Sequence, residues 1–403
     1  MFHLPQEIVD LILDEIDAQA DLKTLTLLSR TFVVPGQSRL FRTLTLATGT
    51  MVRLSDHLSQ SPHIGPYVRD LYLNLHVRPD DIQAPLAQAI QLLSKVNRVT
   101  ISALSGQPWL FWSWNACSKE LQTALISLFS LPTMRSLALV RCCGLPAALI
   151  SHAIACYEEV ILQVTDIDVK PEIVFGKRSE AKPLRHLVLL DYSPAATPDV
   201  HALLLRPEAK AASAHLQHLE LAFPTPLRAR DGFDVIPDYA PSLQQLTVTF
   251  YRSAFYVTIA HSFSGFPQVK LPALPQLRTL NLRGQVSSFS SVPDSLLLFI
   301  AGLWSLTPKL ELLDIDLGGI TESLPNAPSA SAADEALMRL PHLREVRFTM
   351  AVTSSTFYPD KHQICSEIRA CLPRANAAGI LSFPESIPKQ PTQWDAMSHL
   401  VVF

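Results

Sequence analysis

A short phrase recurs along this 403-residue chain and limits its fold more than any other feature. Leu184-Arg-His-Leu187-Val-Leu189, Leu216-Gln-His-Leu219-Glu-Leu221, Leu243-Gln-Gln-Leu246-Thr-Val248, Leu277-Arg-Thr-Leu280-Asn-Leu282 and Leu343-Arg-Glu-Val346-Arg-Phe348 each place apolar residues at i, i+3 and i+5, with Arg or Gln at i+1. Leu310-Glu-Leu-Leu313-Asp-Ile315 fits with Glu at i+1, and weaker copies begin at Phe41, Val68, Val96, Met134 and Tyr157. Hydrophobic residues are 48% of the chain, so one apolar triple carries no information. Five repeats of the same wording do. The starts fall 23 to 38 residues apart, a period of about 30 that is irregular but close to repeat architectures.

Positions i+3 and i+5 alternate as a strand does, so Leu187 and Leu189 are expected to point inward and His186, Val188 and Leu190 outward. Apolar helical segments lie between copies, at residues 86–93, 120–129, 145–155, 200–205 and 296–303. A strand, a crossover helix and a parallel strand, repeated, predict an α/β solenoid whose units bury apolar faces against their neighbours. The pattern resembles leucine-rich repeats of a degenerate kind, without a regular Asn or Cys at the turn. Residues 360–372 are expected as a closing helix, 379–383 as a last strand and 384–392, with three prolines, as an irregular strap. The Ser-, Ala- and Pro-rich stretch 321–334 reads as a loop.

The opening forty residues follow a different rule. Pro5 suits a first helical turn and Glu7 complements a helix N-terminal dipole. Ile8, Leu11, Ile12 and Ile16 keep helical spacing on one face while Val9 and Leu13 are apolar on another, a stripe wide enough for two partners. One face is expected to pack on the first strand near Phe41, Leu44 and Leu46. A second helix over 22–30 aligns Leu22, Leu25, Leu28 and Phe32, with Pro35-Gly36 closing it. About 40 residues is near the lower limit for a self-sufficient core, so the segment should dock onto something.

Leu4-Pro5-x-Glu7-Ile8, then the apolar helix, then Leu25-x-x-Leu28-Ser29-Arg30-x-Phe32, resembles an F-box, the module that binds the Skp-type adaptor of cullin ubiquitin ligases. Phe32 stands where the family usually carries Trp. The resemblance implies a helical F-box domain over 1–46, a repeat array over 47–383 and a terminal strap over 384–403. It further implies adaptor contacts at Leu4, Pro5, Glu7, Ile8, Leu11, Ile12, Leu25, Leu28, Ser29 and Phe32, a cullin reached through that adaptor, and a target protein held by the array. The layout is similar to fungal F-box proteins with degenerate leucine-rich repeats. The alternative is a repeat scaffold outside any ligase, with the helices serving only as a cap.

Composition narrows the partners. The net charge of −3 gives no reason to expect nucleic acid or an anionic membrane. No stretch approaches the eighteen or so apolar residues of a membrane span, and the first helix is interrupted by acids where a signal peptide would not be. A cytoplasmic or nuclear location is expected. The six cysteines show no Cys-x-x-Cys pair and read as free thiols.

Catalytic patterns are weak, and no enzyme activity or cofactor is expected. The string Leu313-Asp314-Ile315-Asp316-Leu317-Gly318-Gly319-Ile320-Thr321 resembles the phosphate loop of sugar kinases, yet only about 80 residues follow it and it lies in phase with the repeat. Asp166 with Asp168, Asp314 with Asp316, and His215 with His218 lack a third ligand, so no metal is expected. Two aromatic insertions are candidate target contacts: Trp109, Trp112 and Trp114, and Tyr251, Phe255 and Tyr256. The outward strand positions, among them Tyr72, Asn74, His218, Glu220, Thr247, Asn281, Arg283 and Arg347, mix both charges with neutral polar groups, which suits a protein partner.

Overall fold

The computed structural model describes residues 5–16, 18–47, 51–75, 83–103, 111–163, 165–168, 175, 182–190, 203–204, 206–223, 236, 240–250, 271–284, 294–316, 329–349 and 361–384. The chain forms two compact units, Met1–Leu184 with Ala195–Ser213, and Arg185–Pro194 with Ala214–Phe403.

The first unit opens with three helices, α1 (Gln6–Asp14), α2 (Gln19–Leu28) and α3 (Arg30–Leu40). There follow β1 (Thr43–Ala47), α4 (Met51–Gln60), β2 (Asp70–Leu75), α5 (Gln83–Gln91), β3 (Arg98–Ala103), β4 (Trp112–Ser113) and α6 (Lys119–Phe129). Next come β5 (Ser136–Val140), β6 (Cys142–Cys143), β7 (Leu145–Pro146), α7 (Ala147–Cys156), β8 (Glu159–Gln163), β9 (Ile167–Asp168) and α8 (Pro207–Ser213). Strands β1, β2, β3, β5 and β8 are consecutive parallel neighbours, in a register that aligns Leu44, Leu71, Val99, Leu137 and Val160. Parallel neighbours need a crossover, and α4 to α7 supply one helix to each.

The second unit continues the plan with β10 (His186–Leu190), β11 (His218–Phe223), β12 (Gln245–Phe250), β13 (Thr279–Gly284), α9 (Asp294–Leu306) and β14 (Leu312–Asp316). It ends with α10 (Ala330–Arg339), β15 (Glu345–Thr349), α11 (Lys361–Cys371), α12 (Pro373–Ala377) and β16 (Leu381–Ser382). These strands too are parallel neighbours in chain order, aligning Leu187, Leu219, Leu246, Leu280, Leu313 and Val346.

Each copy of the phrase, weak ones included, is followed two residues after its start by a strand. The i+3 and i+5 residues of every copy are buried, which is why the pattern is visible in sequence. Position i+1 has a backbone role. The Arg42 carbonyl accepts from the N–H groups of Arg69 and Asp70 at 2.8 and 3.0 Å, and the Gln244 carbonyl from Arg278 and Thr279 at 2.8 and 3.1 Å. The arrangement recurs at Arg69, Asn97, Arg135, Arg185, Gln217, Arg278 and Glu311. A carbonyl occupied in this way leaves its side chain free to stay polar, and consecutive members pair, as Arg278 with Glu311 at 3.2 Å.

Several expectations need correction. Val188 and Leu190 are buried along with Leu187 and Leu189, so β10 is covered on both faces. Thr247 and Asn281, expected on the outward face, are buried as well, with the Asn281 amide donating to the Thr247 hydroxyl at 2.9 Å. The loop expected over 321–334 gives way to α10 from Ala330, because Ala333, Ala336 and Leu337 make a buried face. The expected closing helix and last strand correspond to α11 and β16. The strap beyond Pro384 and the segment 321–328 lie outside the described residues.

Candidate functional site

The three N-terminal helices form their own small core. Val9 and Leu13 of α1, Leu22 of α2 and Phe32 of α3 are buried together, with Ile16, Leu25 and Leu40 packed against them. Phe32 thus fills the interior of the three-helix unit, and Leu44 and Leu46, expected to receive α1, are buried outside this cluster. Two of the sequence expectations for this region change. Phe32 belongs to a third helix rather than to the end of the second, because Ser29 breaks the chain into extended geometry and its hydroxyl accepts from the Thr31 N–H at 3.3 Å. Ser29 is therefore an N-cap. Pro35-Gly36 does not close a helix but lies inside α3. A Cβ on Gly36 would come within 2.4 Å of the Thr26 methyl, so glycine here permits the close approach of α2 and α3.

Packing one stripe of α1 inward leaves the other outside. Ile8, Leu11 and Ile12 are 42%, 60% and 36% exposed, while Val9 and Leu13 are fully buried. At spacings of three and four residues, Ile8, Leu11 and Ile12 share one face of the helix. The neighbouring helices add Leu27 and Leu28 on α2, 86% and 73% exposed, and Val34 on α3, 58% exposed. Six large apolar side chains of this three-helix unit are therefore in water, three of the five on α1 among them, more than single scattered exposure would place on so small a unit. Leu27 and Val34 escaped the sequence reading, because helical spacing alone does not say which face of α2 or α3 the core takes.

Pro5 immediately precedes α1, its carbonyl accepting from the Ile8 and Val9 N–H groups at 3.0 and 3.2 Å, and Glu7 is exposed in the first turn. Leu25 is half-buried against the core. Leu4 lies outside the described residues. The last turn of α1 is held by Arg39 of α3. Its guanidinium donates to the Leu13 carbonyl at 2.7 Å and the Asp10 carbonyl at 3.4 Å, and pairs with the Asp14 carboxylate. A cation on the C-terminal carbonyls suits the helix dipole and fixes α1 on α3.

The array's candidate contacts fare differently. Trp112 and Trp114 are buried, edge to face at 6.1 Å, so they pack a local core and are not presented to a partner. Trp109, Tyr251, Phe255 and Tyr256 lie outside the described residues, as do Gly318 and Gly319. The strand face of the second unit carries a charged mosaic. Arg283 reaches Glu220 at 3.7 Å, and Arg347 pairs with Glu345 at 2.9 Å and lies 4.0 Å from Asp314. Burial pushes the carboxyls of Glu220 and Asp314 up, against the opposing pull of these arginines. Burial also lowers the His218 imidazole, and His186, edge to face with it at 5.7 Å, adds to the effect. Among the described residues no group of three His, Cys, Asp or Glu side chains could hold a metal ion, and no helix is long and apolar enough to cross a membrane.

No protein-family model matches the chain, and no curated protein matches its sequence.

Proposed function

We propose that the chain is a non-catalytic subunit of a Skp-cullin-F-box ubiquitin ligase, docking a Skp-type adaptor through α1 to α3 and holding a target protein on the array. The observation that carries this reading is the division of α1, whose Val9 and Leu13 build the box core while Ile8, Leu11 and Ile12 stay in water. The box satisfies its own core, so the surplus apolar residues are available for a partner's helices. The phrase Leu4-Pro5-x-Glu7-Ile8 and the Leu28-Ser29-Arg30-x-Phe32 segment supply the family resemblance. The parallel strands, aligned on a buried Leu or Val of each phrase, with α7 crossing between β5 and β8 where the connection is described in full, support a leucine-rich-repeat-like solenoid behind the box.

Co-purification tests the reading. Tagged full-length chain should bring down a Skp-type adaptor and, through it, a cullin. Recovery of both by a Leu4→Asp, Ile8→Asp variant at wild-type levels would remove the proposed face.

A further inference from the structure

A cleft of about 450 Å3 opens in the first unit where the box meets the start of the array, on the side of α1 that carries Asp10 and Asp14. Hydrogen-bond donors converge on it with few acceptors to meet them. Both terminal nitrogens of Arg39 bind the end of α1, and the pair with Asp14 offsets that carboxylate's charge. Among the described residues Arg42 has only a long contact to Asp70 at 3.8 Å, and most of its side chain is exposed. Arg69 donates one terminal nitrogen to the Lys95 carbonyl at 3.0 Å, leaving its other donors toward the cleft. The Tyr67 hydroxyl and the Asn97 amide also line the cleft, and neither has a side-chain hydrogen bond among the described residues. Among the described lining residues the remaining charge is Asp10, whose carboxylate accepts from the Gln6 amide at 3.0 Å.

Two guanidiniums, a phenol and an amide offer more donors than a flat carboxylate can accept, whereas a phosphoryl group has three oxygens spread in a tetrahedron. Nothing in the ligase reading uses these side chains. Arg42, Arg69 and Asn97 are the i+1 positions of three successive repeats, so their backbone carbonyls bind the next strand and the side chains stand in a row along one edge of it. Repeat geometry therefore sets their spacing. We propose that the cleft between the box and the first strands binds a phosphoryl group through Arg42, Arg69, Tyr67 and Asn97. The donor is either a small phosphorylated compound or a phosphorylated side chain on a polypeptide.

The test uses the full chain with inorganic tripolyphosphate, a phosphoserine peptide and the same peptide without phosphate, read by calorimetry and thermal midpoint at matched ionic strength. Binding of tripolyphosphate assigns the site to small compounds, and binding of the phosphopeptide alone assigns it to a modified polypeptide. Each Arg→Gln substitution at 42 or 69 should weaken binding about tenfold, the worth of one charge-assisted contact. Tyr67→Phe should weaken it less and disturbs neither ion pair, which guards against a folding defect in the arginine variants. Leu11→Ser, which removes the apolar side chain without adding a charge beside Asp10, should leave phosphate binding unchanged, so a failed adaptor interaction and a failed phosphate site are separable. Equal affinity for both peptides with no tripolyphosphate binding, or wild-type affinity in the Arg42→Gln, Arg69→Gln double variant, overturns the proposal.

Discussion

Replacing Asp334 should loosen the C-terminal end of the array far more than a surface change would. Asp334 sits on α10 and is 3% exposed, and its two oxygens accept from the N–H groups of Arg374 and Ala375, both at 2.9 Å. These are the first donors of α12, since Pro373 has none and Leu372 makes no capping bond. Ala375 is fully buried, so water cannot take over its N–H, whereas Arg374 is exposed and can be rehydrated. In Asp334→Ala the orphaned Ala375 donor costs about 1–3 kcal/mol and the Arg374 bond roughly another 1 kcal/mol. The local opening energy of α12 should therefore fall by about 2–4 kcal/mol, raising amide exchange at Arg374 and Ala375 from roughly thirtyfold to several hundredfold. Asp334→Asn keeps one acceptor and should show about half the energy change. Hydrogen exchange is the right assay because a chain of two units does not unfold in one step. Wild-type exchange at both amides in Asp334→Ala would refute the clamp.

Three further outcomes follow from burial and charge. Leu280→Ala, at a fully buried i+3 position of β13, should cost about 2.5–5 kcal/mol, seen as a lower denaturant midpoint for the second unit. Burial raises the Glu220 carboxyl above its unfolded value, so the folded state prefers the proton and loses stability as pH climbs through the raised pKa. Glu220→Gln should accordingly match wild type near pH 3 and exceed it near pH 7, with denaturant midpoints across pH as the check; a variant weaker at neutral pH would mean that the Arg283 pair outweighs desolvation. Burial pushes the Cys117 thiol up to about 12, so it should resist alkylation in the native chain and react once unfolded, measured by mass shift.

The strand frame was legible because the leucines that announce each strand, such as Leu277, Leu280 and Leu282, are all buried and the period-two rule needs no distant information. What lay beyond local pattern was whether a second layer covers the other face. Thr247, Asn281 and Val188 look outward by alternation, yet tertiary packing buries them. The N-terminal three-helix unit shows the same division. Its wide apolar stripe was readable, but Pro35-Gly36 looks like a helix stop in sequence and becomes a helix crossing only when Thr26 of α2 lies against it. Arg39 carries no local signature at all, since the carbonyls it binds are supplied by residues 10 and 13. The tryptophans at 112 and 114 have the composition of a binding surface and the burial of a core.

The central claim is most directly tested by titrating a purified Skp-type adaptor into the full chain and into a Leu11→Asp variant. Leu11 is 60% exposed and outside the buried core of the three N-terminal helices, so the variant should keep the wild-type thermal midpoint. Covering its side chain in a complex contributes about 2 kcal/mol, and aspartate removes this, so the Kd should rise roughly thirtyfold or more. Equal Kd values for the two proteins, or no binding by the wild-type chain, would contradict the account.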